Sequence, residues 1–128
     1  MKKRKMLAVL MAAVIVIASL PGLDVYAAIG KEAQACKDLE ILIGADASGV
    51  TSQYLSTTPT RIQAFIIVLR LKGLYGEATR YEGERNFKDA ETLGWARSYM
   101  AYAKDNPDLG WNGYPDGTFA PSKKIDGQ

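Results

Sequence analysis

Acid–base chemistry is the first possibility to weigh, and the residue inventory limits it sharply. The 128-residue chain has no histidine, which removes imidazole catalysis and the common histidine metal sites. Glu82, Glu84, Asp105 and Asp108 are the available carboxylates for a glycosidase-type pair. They fall in polar connectors, with no pattern that sets two of them across a cleft. Asp108, Asn112, Gly113 and Asp116 resemble a calcium loop only superficially. Counted from Asp108, the third position is Gly110 and the twelfth is Phe119, where a bidentate glutamate is needed. The single cysteine, Cys36, has no internal disulfide partner. Its spacing with Leu39 and Ile43 predicts a buried helical thiol. No catalytic residue, metal ligand or cofactor is expected, and binding is the chemistry left.

Binding residues need elements to hold them, and the pattern predicts an all-α chain. A first helix is expected from Lys31 to Ile43, with Ala35, Cys36, Leu39, Leu42 and Ile43 on one face and Gly44 as its stop. A second opens at Thr58-Pro59, with Thr58 as cap and Pro59 in the first turn, and runs to Gly73. Ile62, Phe65, Ile66, Ile67, Val68 and Leu69 make it apolar almost all round, the mark of a central helix. Residues 76–85 form a polar connector. A third helix begins near Asp89, which is placed to cap Ala90-Glu91-Thr92, and carries Trp95, Ala96, Tyr99, Met100 and Ala103 at helical spacing. Asp105-Asn106-Pro107 ends it. Pro115-Asp116-Gly117 is a tight-turn signal, since proline fixes one backbone angle and glycine accepts a positive one. Pro121 leads toward a fourth helix.

The N-terminus sets the compartment. Lys2, Lys3, Arg4 and Lys5 precede an apolar run from Met6 to Leu20, which Pro21-Gly22 breaks. Val25-Tyr26-Ala27 then supplies a peptidase site, so residues 1–27 have the layout of a cleaved signal peptide. The run is shorter than the ~20 residues that span a bilayer. The full chain has 16 basic and 14 acidic residues. The leader accounts for four basic residues and Asp24, leaving 12 basic and 13 acidic, a net charge of −1. Once the leader is removed, no general electrostatic footprint for nucleic acid remains. About a hundred residues are left, enough for one small domain with a modest core.

The order of elements repeats weakly. In residues 31–75 a helix leads to a glycine-bearing loop, an aromatic, a proline and a second helix; residues 87–128 start the same way. Helix-loop-helix units of this period share a core with their neighbours, so the pattern reads as an incomplete array. The corresponding segments are 1–27 (signal), 28–75 (first unit), 76–85 (connector) and 86–128 (second unit, cut short).

Phe87-Lys88-Asp89, Trp95-Ala96 and Gly113-Tyr114-Pro115-Asp116-Gly117-Thr118-Phe119-Ala120-Pro121 together resemble an S-layer homology motif. That family is typified by Phe-x-Asp before a helix, a Gly-x-x-Asp-Gly-Thr-Phe-x-Pro loop and a Thr-Arg-Ala-Glu helix opening. Pro59-Thr60-Arg61-Ile62-Gln63-Ala64 is similar to the last element, with Gln63 in place of glutamate. The first unit lacks the Asp-Gly-Thr-Phe loop, and the second has Asp126-Gly127 where Thr-Arg is usual. A complete module of the family usually carries three motifs.

The resemblance implies helix-loop-helix repeats packed as a small bundle, part of a three-prong assembly. It further implies an exported, non-catalytic module that binds anionic secondary cell-wall polysaccharide at the bacterial surface. Arg61 would then offer a guanidinium to a carboxylate beside the helix amides, and Thr60 a hydroxyl, with Gln63 in the same helix opening. Trp111 or Tyr114 would stack on a sugar face, and Lys123 and Lys124 would supply point charges. Partners of this kind include further motifs or another domain of a parent protein. Plainer roles stand beside these: Arg61 in an ion pair across a helix interface, Asp89 as a cap only, Trp111 and Phe119 as pins for the loop, and Lys123-Lys124 as a solvated pair. The competing function is a structural or protein-interaction segment of a larger surface protein, without ligand binding of its own.

Overall fold

The computed structural model describes residues 29–126; the expected signal peptide lies outside them. Five α-helices are present among the described residues: α1 (Lys31–Asp38), α2 (Ser52–Ser56), α3 (Arg61–Leu71), α4 (Tyr75–Thr79) and α5 (Arg97–Asp105). Two 3-10 helices, Ala90–Ala96 and Pro107–Leu109, flank α5. The all-α expectation is met. No described helix is long and apolar enough to cross a membrane.

The core forms around α3. Its residues Ile62, Phe65, Ile66 and Leu69 are buried together with Ala78, Phe87, Tyr99, Met100, Tyr102, Ala103 and Phe119. Phe119 is fully enclosed. Its ring lies 5.1 Å from Phe87, 6.1 Å from Phe65 and 6.2 Å from Trp111 between centroids. Aromatic contacts at these separations add to the burial of large apolar area. The loop that carries Phe119 is therefore packed against α3, and both lie in one core.

Several expectations are corrected. The first helix ends at Asp38, five residues early, and α1 buries none of its side chains. Leu39 and Ile43 stay 71% and 54% exposed, and Cys36 is only half-buried. Amphipathic spacing reports a face that is able to pack, and no described element covers Leu39 and Ile43. Thr60 caps α3 instead of Thr58: its hydroxyl accepts from the Gln63 amide, while Gln63 Oε1 accepts from the Thr60 amide at 2.9 Å. That reciprocal pair is the capping box, available only to a threonine three residues before a Glu or Gln. Helix α4 occupies what was expected to be connector. The third helix is two pieces, a 3-10 stretch broken at Leu93 (φ −132°, ψ 80°) and then α5. This break turns Trp95 outward, 60% exposed, with an edge contact to Tyr99 at 6.4 Å.

No helix follows Pro121 within the described residues. Residues 121–125 lie instead along the start of α3, where Thr60 and Lys124 form an isolated antiparallel bridge. The Arg61 amide donates to Lys123 O at 2.8 Å, the Ile62 amide to Pro121 O at 3.1 Å and the Ile125 amide to Pro59 O at 3.0 Å.

The expected turn is present. Tyr114 O accepts from the Gly117 amide at 2.9 Å, and Asp116 Oδ1 accepts from the Thr118 amide and hydroxyl at 2.9 and 2.7 Å. Those bonds, the hydroxyl first, hold the Asp116 carboxyl below its usual range. Residues 46–48 build the same device, with the Asp46 carboxylate accepting from the amide and hydroxyl of Ser48.

Candidate functional site

Arg61 occupies the first position of α3, directly after the Thr60 cap. Its backbone amide and that of Ile62 are taken by carbonyls of residues 123 and 121, and that of Gln63 by the Thr60 hydroxyl. The free amides expected at this helix start are thus already bonded, and an incoming anion would meet the side chain alone. The guanidinium Nε donates to Phe119 O at 2.8 Å. Its carbon stands 4.8 Å from the Tyr114 ring centre, 5.3 Å from Phe119 and 5.7 Å from Trp111. Cation–π contact and the Nε bond together fix the plane of the group.

Among the described residues Arg61 makes no ion pair; the three pairs present are Arg85–Asp105, Arg97–Glu91 and Lys123–Asp126. The structural ion pair weighed for Arg61 is not found there. Of the five N–H donors a guanidinium carries, those on its terminal nitrogens have no protein acceptor among the described residues.

Two further segments complete the site. Asp89 positions the first: its Oδ1 accepts from the Phe119 amide at 2.9 Å and its Oδ2 from the Ala120 amide at 2.8 Å. Ala120 adopts the left-handed region at φ 55°. No cap bond from the Asp89 side chain to the following helix exists, so its expected role is corrected: it clamps a loop thirty residues away. Gly113 (φ 74°) permits the close pass of the loop over Phe87. A Cβ there would lie 2.5 Å from both the Phe87 ring and Thr118 O.

The second element is the 121–126 segment. Lys123 Nζ donates to Tyr114 OH at 3.2 Å, and Lys124 Nζ to Thr58 O at 2.7 Å. A shallow crevice of about 170 Å³ results, lined by Arg61, Trp111, Tyr114, Lys124, Ile125 and Asp126.

Five expected site residues therefore converge: Arg61, Trp111, Tyr114 and Lys124 line the crevice, and Lys123 borders it through Tyr114. Thr60 and Gln63 do not join them as ligand groups, because the capping box engages both. Gln63 instead lines a separate, larger cavity of about 390 Å³, with Leu42, Tyr54, Leu55 and Ile67. Trp111 is also a loop pin, with its ring 5.3 Å from Phe65. The clamp at Asp89, the Phe119 carbonyl and Asp126 were missed. Only the Phe-x-Asp spacing pointed to Asp89, and local sequence favoured a cap.

No group of three or more potential metal-ligating side chains occurs among the described residues. Comparison with protein-family models, with curated proteins and with solved structures finds no match for the chain.

Proposed function

We propose that this chain is a non-catalytic, exported anchoring module whose Arg61 crevice binds anionic bacterial cell-wall polysaccharide. One observation carries the reading: a guanidinium is held rigidly by a backbone carbonyl and aromatic rings, yet has no carboxylate partner among the described residues. A structural arginine at a unit interface would be expected to face an acid. An arginine oriented beforehand with unused donors suits a carboxylate that arrives from outside. The half-buried rings of Trp111 and Tyr114, which line the crevice, give the sugar ring an apolar surface beside that carboxylate. The crevice is small and shallow, so affinity would rest on several such contacts along one polymer.

Sedimentation with purified bacterial sacculi tests this. Retention is expected, with loss after the secondary polymer is stripped. Arg61→Ala should weaken it about tenfold, equivalent to ~1.4 kcal/mol. No retention of a protein shown to be folded by circular dichroism would remove the reading.

The interaction-segment reading has its own support in Leu39 and Ile43, which lie exposed just past the end of α1. Failure of sacculus binding by the folded chain would favour it.

A further inference from the structure

Asp126 lines the Arg61 crevice, and it is the one carboxylate to do so among the described residues. Its Oδ2 stands 3.8 Å from Lys123 Nζ, the ammonium that also donates to Tyr114 OH. The other lysine of the pair, Lys124, is turned onto Thr58 O. Of the cations around the crevice, Lys123 is therefore shared with an internal anion and Lys124 with a backbone carbonyl. The terminal nitrogens of Arg61, by contrast, have no protein acceptor among the described residues.

We propose that Asp126 is a charge filter for this crevice, a specificity-determining residue that admits an isolated carboxylate on a hydroxyl-rich sugar and disfavours densely charged polyanions. The inference rests on the anion-binding reading above. A carboxylate entering toward Arg61 approaches Asp126 at the same mouth, and repulsion grows with each further charge the polymer brings close. A sugar hydroxyl, by contrast, donates to Asp126 and gains from its presence. The filter thus separates ligands by charge spacing, with Arg61 accepting the single anion and Asp126 reading the neighbouring hydroxyl. Both groups are water-exposed on one side, so the effect is modest and is screened by salt.

Asp126→Asn isolates the charge, because the amide keeps an acceptor of the same shape. Equilibrium binding would be measured with polygalacturonate, which carries a carboxylate on every sugar, and with neutral dextran as control. Asp126→Asn is expected to bind polygalacturonate roughly three- to fivefold more tightly than the unaltered chain at low salt. The gain should shrink at high salt and be absent for dextran. Equal or weaker binding by Asp126→Asn, with Arg61→Ala still impaired, overturns the filter and leaves the anion site standing. If Arg61→Ala binds as well as the unaltered chain, the anion site and the filter fall together; if Asp126→Asn does not bind polygalacturonate at all, the filter is overturned and sacculus sedimentation decides the anion site.

Discussion

The Asp89 carboxylate and the Phe119 backbone form a relay: Asp89 accepts from the Phe119 amide at 2.9 Å, and the carbonyl of Phe119 accepts from Arg61 Nε at 2.8 Å. Three segments far apart in sequence are joined through one residue. The loop's position, and with it the orientation of the guanidinium, depends on a carboxylate that never touches Arg61.

Removal of that carboxylate should therefore affect stability and binding together. Asp89→Ala leaves the Phe119 and Ala120 amides without their charged acceptor, and about 2–4 kcal/mol of stability is expected to be lost. Urea unfolding measures this directly. A loss below ~0.5 kcal/mol would mean that water replaces the clamp at no cost.

Gly113 and Gly110 allow a matched comparison. Both have positive φ, 74° and 79°, but a Cβ at Gly110 meets open space whereas one at Gly113 strikes Phe87 and Thr118. Gly110→Ala should cost about 1 kcal/mol from backbone strain alone. Gly113→Ala should cost roughly 2–4 kcal/mol, since the loop must also lift from the core. Equal denaturation midpoints for the two variants would contradict the close packing at Gly113.

How far such contacts can be read in the sequence depends on their range. Helix α3 and the Tyr114–Gly117 turn were legible because their causes are local: apolar spacing in one, proline and glycine chemistry in the other. Thr60 carried a capping-box signal that proximity to Pro59 obscured. Asp89 was misread because a cap needs only nearby residues, while its actual partners lie thirty residues on. The α1 face was misread for the opposite reason, since periodicity records an apolar stripe and not the presence of a neighbour to cover it. Arg61, Trp111, Tyr114 and the lysines were legible as types, but their convergence required the 121–125 segment to turn back on α3, which no local rule foretells.

Stability should depend on pH at both ends through one hydrogen bond. Tyr81 OH donates to Asp105 Oδ2 at 2.7 Å, and Arg85 Nη2 faces Oδ1 at 2.6 Å. The Tyr81 bond first, then Arg85, hold the Asp105 carboxyl below its usual range, while the same bond raises the Tyr81 hydroxyl above its own. As pH falls through the lowered Asp105 value, the unfolded chain takes up the proton more readily and this stabilisation is lost. As pH rises through the raised Tyr81 value, the unfolded chain releases its proton more readily and stability falls again. Tyr81→Phe should flatten both limbs of a plot of denaturation midpoint against pH, while unchanged limbs would assign the dependence to other groups.

Arg61 separates charge from geometry. Arg61→Lys keeps the cation but loses the Nε bond to Phe119 O and the flat surface over Tyr114 and Trp111. A carboxylate bound through paired, directed donors should feel this loss, with binding to sacculi weakened by roughly 1 kcal/mol, or about fivefold. Simple charge attraction predicts full retention by lysine. Thr60→Ala provides the internal control: it removes the cap, costs about 1 kcal/mol in urea unfolding, and leaves the guanidinium and its aromatic surround in place. Co-sedimentation of the three proteins with sacculi, beside their unfolding curves, decides the matter. Directed recognition requires Arg61→Lys to bind less well than Thr60→Ala at equal fraction folded; the reverse order would move the contact from Arg61 to the Thr60 hydroxyl.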